Sequence, residues 1–335
     1  MANSPTRRTT LRQVADRAGV SIATASRALN GSVASLESAE RVRAAVSELG
    51  YIPNEAARSL RRERTMTIGV AFFSLKLPGS LELLGGLSQT LDEHGYTLLI
   101  ADTDGHTSRF DVILGRFLER RVDALLCVNP DGVGSVLNRY RDAGVPAIAL
   151  ISRGRGANWL PLLAPGLEPA TTEAILRLES LGHRRVCAML PGGEGGPFRA
   201  VWSRLRGSKL EVEAVNPFAV GFDPRRVVSG FRSQGTTAVI STYPVAFQVM
   251  RAGRMEGISV PEDLSIVSVG DEPGNSTWLE TPLSAISVDL RALGRAAAAA
   301  AISWLKGTPP DRNELVPASA WVERSSTAPA PRVSD

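Results

Sequence analysis

Five residues near position 25 bring a small set of contacts to one place. They are the branched methyls of Ile22, the small Ala23, the hydroxyls of Thr24 and Ser26, and the guanidinium of Arg27, within the string S-I-A-T-A-S-R-A-L-N. Such side chains at the start of a helix are suited to touching base edges in a DNA groove, and Arg27 is the one able to bond a guanine bidentately. Two helical patterns must hold them. Leu11, Val14, Ala15 and Ala18 fall at i, i+3, i+4 and i+7, one buried face of a first helix. Gly19 ends it by allowing positive φ. Ser21 is a natural N-cap for a second helix, whose inner face carries Ala25, Ala28 and Leu29. The pattern is a helix-turn-helix; taken alone it is equally compatible with two short helices of another bundle.

Charge separates these readings. Residues 1–65 hold 11 arginines, no lysine and 6 acids, a net +5, whereas the whole chain is +4 (38 minus 34), leaving −1 for the remainder. A basic N-terminus beside a helix-turn-helix is the footprint of a phosphate-binding module. A third helix follows, with Val42, Ala45, Val46 and Leu49 at helical spacing. Then comes G-Y-I-P-N-E-A-A-R-S-L-R-R-E-R-T, Gly50 to Thr65, where Pro53 suits the first position of a short helix. Such a helix is marginal alone and forms against DNA and a twin copy. Leu60 is then either an apolar wedge for a base step in the minor groove or the packing residue of a linker helix.

The strings V-A-D-R-A-G-V-S-I-A-T-A-S-R-A-L-N-G, E-R-V-R-A-A-V-S-E-L-G-Y-I-P-N-E-A-A-R-S-L and T-M-T-I-G-V strongly resemble the lac-repressor (LacI/GalR) family of bacterial transcription factors. L-G-H-R-R-V, V-P-E-D-L-S-I-V and T-P-L-S-A-I resemble it further along, from Thr10 to about Ser326 in all. The resemblance implies a homodimer on a palindromic double-stranded DNA operator with a central C-G step. It places Ser21 and Thr24 on phosphates, and Ile22, Ala23 and Arg27 in the major groove, with Ile22 and Ala23 suited to a thymine methyl. Asn30, Tyr51 and Asn54 then contact the backbone, and Leu60 wedges the central step. Leu11, Ser26 and Ala57 complete the expected DNA-contact set. Ala34 and Ala39 depart from the family's usual valine and arginine.

The expected fold is an N-terminal all-α helix-turn-helix domain (8–50), a hinge helix or linker (51–65) and an α/β core (66–326), with a disordered tail (327–335). From Thr67 onward strand-like and helical runs alternate: T-I-G-V-A-F-F, Ser80–His94, Tyr96–Ala101, Phe110–Arg120, D-A-L-L-C-V, Val133–Ala143 and A-I-A-L-I, then Thr171–Leu181, R-V-C-A-M-L, T-A-V-I-S and S-I-V-S-V. Repeated β-α units imply parallel, doubly wound sheets. The resemblance implies two lobes like a periplasmic sugar-binding protein, with lobe one at 66–163 and 287–316, lobe two at 164–286 and 317–326, and a ligand cleft between them. No apolar run reaches membrane-spanning length and no secretory signal is evident, so the expected location is the cytoplasm. Cys127 and Cys187 lie in apolar runs and read as buried free thiols.

The cleft departs from the family. Leu77 and Gly79 flank the proline where asparagine and phenylalanine are usual. Leu150 and Ile151 end a strand where an aspartate or asparagine is common, and Gly166 and Leu167 replace an Asp-Asn pair. Thr242 and Tyr243 replace an Asn-Asp pair, and Gly270 stands where an aspartate grips sugar hydroxyls. Arg199 keeps its expected place, Asp271 lies one step along, and Ser74 completes the expected effector set. A sugar needs carboxylates and amides to replace its lost water. The ligand is therefore more apolar, and anionic if Arg199 holds it, or else there is no small-molecule effector. No cofactor, metal or catalytic motif is expected. G-G-E-G-G (192–196) lacks a phosphate-loop ending, and no His/Cys cluster has ligand spacing. His183 reads as a helix-end cap, while Trp159 and Trp202 read as packing residues within reach of the cleft. The expected function is a sequence-specific transcriptional regulator, a repressor rather than an enzyme. Its rivals are an effector-free regulator governed by abundance or a protein partner, and a ligand-binding protein of the same fold whose N-terminus is incidental.

Overall fold

The computed structural model describes residues 9–29, 35–52, 64–77, 79–130, 133–151, 159–191, 198–271, 279–316 and 319–331. The chain forms two compact units, 1–65 and 66–335. The first holds helices α1 (Leu11–Ala18), α2 (Ile22–Leu29) and α3 (Leu36–Leu49). A capping box opens α1: the Thr10 hydroxyl accepts from the Gln13 N–H, and the Gln13 side chain accepts from the Thr10 N–H at 2.8 Å. Gly19, at φ +63°, ends α1 with its N–H bonded to the Ala15 and Asp16 carbonyls. A side chain at this left-handed position would be strained, so the sharp turn needs glycine. Val14, Ala15, Ala18, Ala25, Val42 and Ala45 form the core between the three helices, and Leu11, Leu29, Leu49 and Tyr51 close its edges.

The second unit contains two six-stranded sheets. The first comprises β1 (Thr67–Phe72), β2 (Thr97–Asp102), β3 (Ala124–Val128), β4 (Ala147–Leu150), β5 (Leu162–Pro165) and β11 (Asn313–Val316), in the order β11-β5-β4-β3-β1-β2 with every pairing parallel. The second comprises β6 (Arg185–Met189), β7 (Glu211–Ala214), β8 (Ala238–Thr242), β9 (Ser265–Val269), β10 (Ser284–Val288) and β12 (Ser319–Val322), in the order β12-β10-β9-β8-β6-β7. Its pairings are parallel except β12, which runs antiparallel to β10. Each sheet reverses its winding once, between β1 and β3 and between β6 and β8. Such switch points are where open α/β sheets place ligands, beyond the strands' C-terminal ends.

The helices α4 (Ser80–Glu93), α5 (Thr107–Glu119), α6 (Ser135–Asp142) and α12 (Leu290–Leu305) belong to the first sheet. The helices α7 (Glu168–Ser180), α8 (Arg199–Arg206), α9 (Pro224–Ser229), α10 (Phe231–Gln234) and α11 (Tyr243–Met255) belong to the second. Both faces of each sheet are covered, which is why the central strands read as continuous apolar runs. Helices α4 and α12 cross at glycines. A Cβ on Gly294 would lie 2.3 Å from the Leu83 carbonyl oxygen, and one on Gly86 would lie 2.1 Å from that of Arg291.

Strand membership shifts the expected lobe boundaries. β5 continues in the first sheet to Pro165 and β10 stays in the second sheet to Val288, each about two residues beyond the expected crossing. The expected disordered tail begins too early. Ser326 is fully buried, with its carbonyl accepting from the Ile266 N–H at 2.7 Å, and the Ala330 N–H donates to Leu181 at 2.8 Å. Its proline and serine content suggests disorder, but hydrogen bonds to the second lobe hold it as far as Ala330. His183 is correspondingly a buried hub and not a helix cap. Its Nδ1 meets Thr237 Oγ1 at 2.8 Å, and its Nε2 meets Ser265 Oγ at 3.0 Å and the Ala328 carbonyl at 3.1 Å. Cys127 and Cys187 are both free and buried, and burial pushes the Cys187 thiol up to about 12. Among the described residues no helix is long and apolar enough to cross a membrane.

Candidate nucleic-acid interface and interlobe cleft

The start of α2 presents its side chains outward. Ser21, Ile22, Ala23 and Arg27 are exposed and Thr24 and Ser26 are half-buried, while Ala25 is the residue turned fully inward. Ser21 caps the helix, its Oγ accepting from the Thr24 N–H at 3.1 Å and lying 2.8 Å from Thr24 Oγ1. That bond fixes the helix start relative to the turn at Gly19. Ile22 is 48 % exposed, an apolar side chain in the first turn of α2 left facing solvent. Arg27 lies back along the helix, with its Nε 3.4 Å from the Ala23 carbonyl oxygen, so guanidinium and methyl groups share one face. Helix α2 contains no acid to neutralise Arg27. By contrast Arg17, on α1, is held 2.7 Å from Glu48 of α3. This face has the donors and methyls for major-groove readout and a helix N-terminus suited to phosphate.

Other expected DNA contacts fall elsewhere. Leu11 and Tyr51 are half-buried and pack against the three-helix core, and the Tyr51 N–H bonds the Val46 carbonyl at 3.1 Å. Asn30, Asn54, Ala57 and Leu60 lie outside the described residues.

In the second unit, the expected effector residues lie at or beyond the C-terminal strand ends, and three of the seven, Ser74, Tyr243 and Asp271, are engaged with the fold. Beyond β1, Ser74 is nearly buried; its Oγ accepts from the Lys76 N–H, and its carbonyl accepts from Ser80 Oγ at 3.2 Å. Ser74 thus builds the turn into α4. Leu77, in that turn, is 41 % exposed. Beyond β4, Ile151 has φ +53°, and beyond β3, Asn129 has the same value. Left-handed backbone is ordinary for asparagine and an outlier for a β-branched residue, so strain accumulates at this sheet end. Thr242 and Tyr243 sit where β8 runs into α11; Thr242 makes no side-chain cap bond, and Tyr243 packs on the core under α11.

Asp271 is committed elsewhere. Its side chain is 2 % exposed, and its two oxygens accept from Arg324 Nη1 and Nη2 at 3.2 and 2.7 Å. A carboxylate saturated by a bidentate guanidinium has little left for a ligand hydroxyl, so Asp271 is a structural ion-pair partner and not an effector contact. Sequence reading missed Arg324, which lies 53 residues away; the signal was an isolated acid after an apolar strand, a group that needs a cation. Arg199 is the first residue of α8, exposed, and makes no ion pair with any described residue. One turn along, Trp202 is buried with its Nε1 lacking a hydrogen-bond partner among the described residues. Trp159 is not near the cleft. It precedes β5, at the opposite end of the first sheet, with its Nε1 donating to Asn138 Oδ1 at 3.0 Å.

Among the described residues no cluster of three or more His, Cys, Asp or Glu could hold a metal. Comparison with known proteins follows the same division of the chain. Residues 10–54 match the family model "Bacterial regulatory proteins, lacI family", residues 65–195 match "Periplasmic binding proteins and sugar binding domain of LacI family", and residues 175–327 match "Periplasmic binding protein-like domain". The chain is 27 % identical to the lactose operon repressor of Escherichia coli, over 96 % of this chain and 91 % of that one. It is 28 % identical to the transcriptional regulator MalR of Streptomyces coelicolor, over 96 % and 98 %. Among solved structures, the lac repressor dimer bound to operator and the anti-inducer ONPF superposes with a TM-score of 0.81 at 25 % identity, covering 96 % of this chain and all of that one.

Proposed function

The chain belongs to the LacI/GalR family of bacterial transcriptional regulators, and from that premise we propose that it acts in the cytoplasm as a homodimeric repressor on a palindromic operator with a central C-G step. The observation that supports this most is the outward face of α2, where Ile22 and an acid-free Arg27 stand exposed on a helix pinned by a complete small core. Arg27 reads a guanine, Ile22 and Ala23 meet a thymine methyl, and Ser21 and Thr24 hold phosphates. Leu60, carried by the hinge segment, wedges the central step.

The interlobe cleft then takes a ligand that is not a sugar. With Asp271 consumed by Arg324, Arg199 at the start of α8 is the charged group among the described expected effector residues that is left for a ligand, and Trp202 lies one turn along the same helix. That combination suits an apolar anion. The Asp271–Arg324 pair also favours a second reading, in which the cleft holds no effector and the regulator is controlled by abundance or by a protein partner. Selection of bound genomic fragments by the purified protein, at stated salt, tests the main reading. An enriched palindrome supports it, and absence of any enriched sequence, with and without cell metabolites, overturns it. A thermal-shift screen separates the two readings of the cleft: a metabolite that stabilises the protein and changes DNA affinity excludes the effector-free one.

A further inference from the structure

At the end of the first sheet away from the cleft, the segments entering β5 and β11, the last turn of α12 and Arg141 of α6 border an open groove of about 600 Å³. Its walls are the indoles of Trp159 and Trp304 with Pro161, Pro309 and Pro310, and its charged members are Arg141 and Arg312. Nothing in the regulatory reading above uses this site. We propose that it binds a small planar aromatic carboxylate, the ring lying between indole and proline surfaces and the carboxylate meeting Arg141.

Three features carry this assignment. The walls are rigid before any ligand arrives: three are proline rings, Trp159 is fixed by its bond to Asn138, and the Arg312 carbonyl accepts from the Leu162 N–H at 2.9 Å. Preorganised walls reduce the ordering cost of binding. The cation offered to a ligand is Arg141, and no carboxylate is among the residues lining the site. The Arg141 guanidinium lies 5.5 Å from the Trp159 ring centroid, held over the aromatic face at the mouth. The nearby Asp142 carboxylate is 3.6 Å from Arg141 Nε, with both side chains more than half exposed, a contact too long and too solvated to neutralise it. The volume is within the range of about 300–1,000 Å³ typical of small-molecule pockets.

The test uses the full-length protein, 2-naphthoate and its neutral counterpart 2-naphthamide, read by titration calorimetry and by thermal shift. The expected result is saturable binding of the acid below about 1 mM, with the amide at least about tenfold weaker. Measured in an Arg199→Ala background, which takes the cleft's own cation out of the titration, Trp304→Ala and Arg141→Gln should each weaken the acid by about tenfold or more. Trp304→Phe keeps an aromatic wall and should retain most of the binding, which separates loss of the site from loss of the fold. No saturable binding below about 1 mM, equal binding of acid and amide, or unchanged binding on adding Trp304→Ala to the Arg199→Ala background would each overturn the assignment. None of these outcomes depends on whether the protein recognises an operator.

Discussion

The face of α2 and the interlobe cleft are built in opposite ways. On α2 the candidate DNA-contact side chains come from one stretch of chain, and their partners are local: Ser21 meets Thr24 and Arg27 meets the Ala23 carbonyl, while Ile22 is half exposed and no acid in the helix meets Arg27. In the cleft the seven expected effector side chains come from five strand ends, and three of them are spent on the fold. Ser74 shapes a turn, Tyr243 packs under α11 and Asp271 is saturated by Arg324. A residue kept for a partner leaves polar or apolar surface unmatched, whereas one kept for structure is matched internally. By that criterion the Ile22 methyls and the Arg27 charge on α2 stay open to a partner, whereas the Asp271 carboxylate of the cleft is matched internally.

Substitutions sharpen the contrast. The largest effect is expected at Arg324→Ala, which takes the bidentate cation from the buried Asp271 carboxylate at a cost of about 3–5 kcal/mol. Urea denaturation should show the loss; a change under about 1 kcal/mol would return Asp271 to the candidate effector contacts. At Gly294→Ala the new methyl meets the Leu83 carbonyl, and overpacking should cost about 1–3 kcal/mol of stability in the same assay. Arg27→Ala should behave differently, leaving the urea midpoint unchanged while weakening operator binding by about 1–3 kcal/mol and relaxing preference at one base pair. Equal losses on every DNA sequence would remove Arg27 from base readout.

The smallest effect concerns pH. Burial lowers the His183 pKa below its ordinary 6.5, so the folded form holds the ring neutral while the unfolded chain protonates near that value. Stability from this group is therefore full above about pH 6.5 and declines as pH falls toward the folded value. A urea midpoint that drops between neutral and mildly acidic pH in the parent, and drops less in His183→Gln, supports the hub. Identical slopes in the two proteins would assign the acid sensitivity to other groups.

Local pattern made much of this molecule legible. The i, i+3, i+4, i+7 spacing of Leu11, Val14, Ala15 and Ala18, the turn at Gly19 and the cap at Ser21 specify the helix-turn-helix from within twenty residues, because helix periodicity and capping are short-range effects. The apolar runs at 67–73, 123–128 and 265–269 specify buried parallel strands for the same reason. What lay beyond reading were pairings between distant segments. Composition cannot show that Ala328 and Ala330 are anchored by His183 and Leu181. Nor can it show that Arg324 crosses the lobe to consume Asp271, or that Trp159 faces away from the cleft to share a groove with Trp304. By itself the sequence determined which segments are helices and strands, and that one exposed helix face is equipped for DNA. The tertiary structure decided which polar side chains remain available to a ligand, because satisfaction of a buried charge or indole depends on what the fold brings within 3 Å of it.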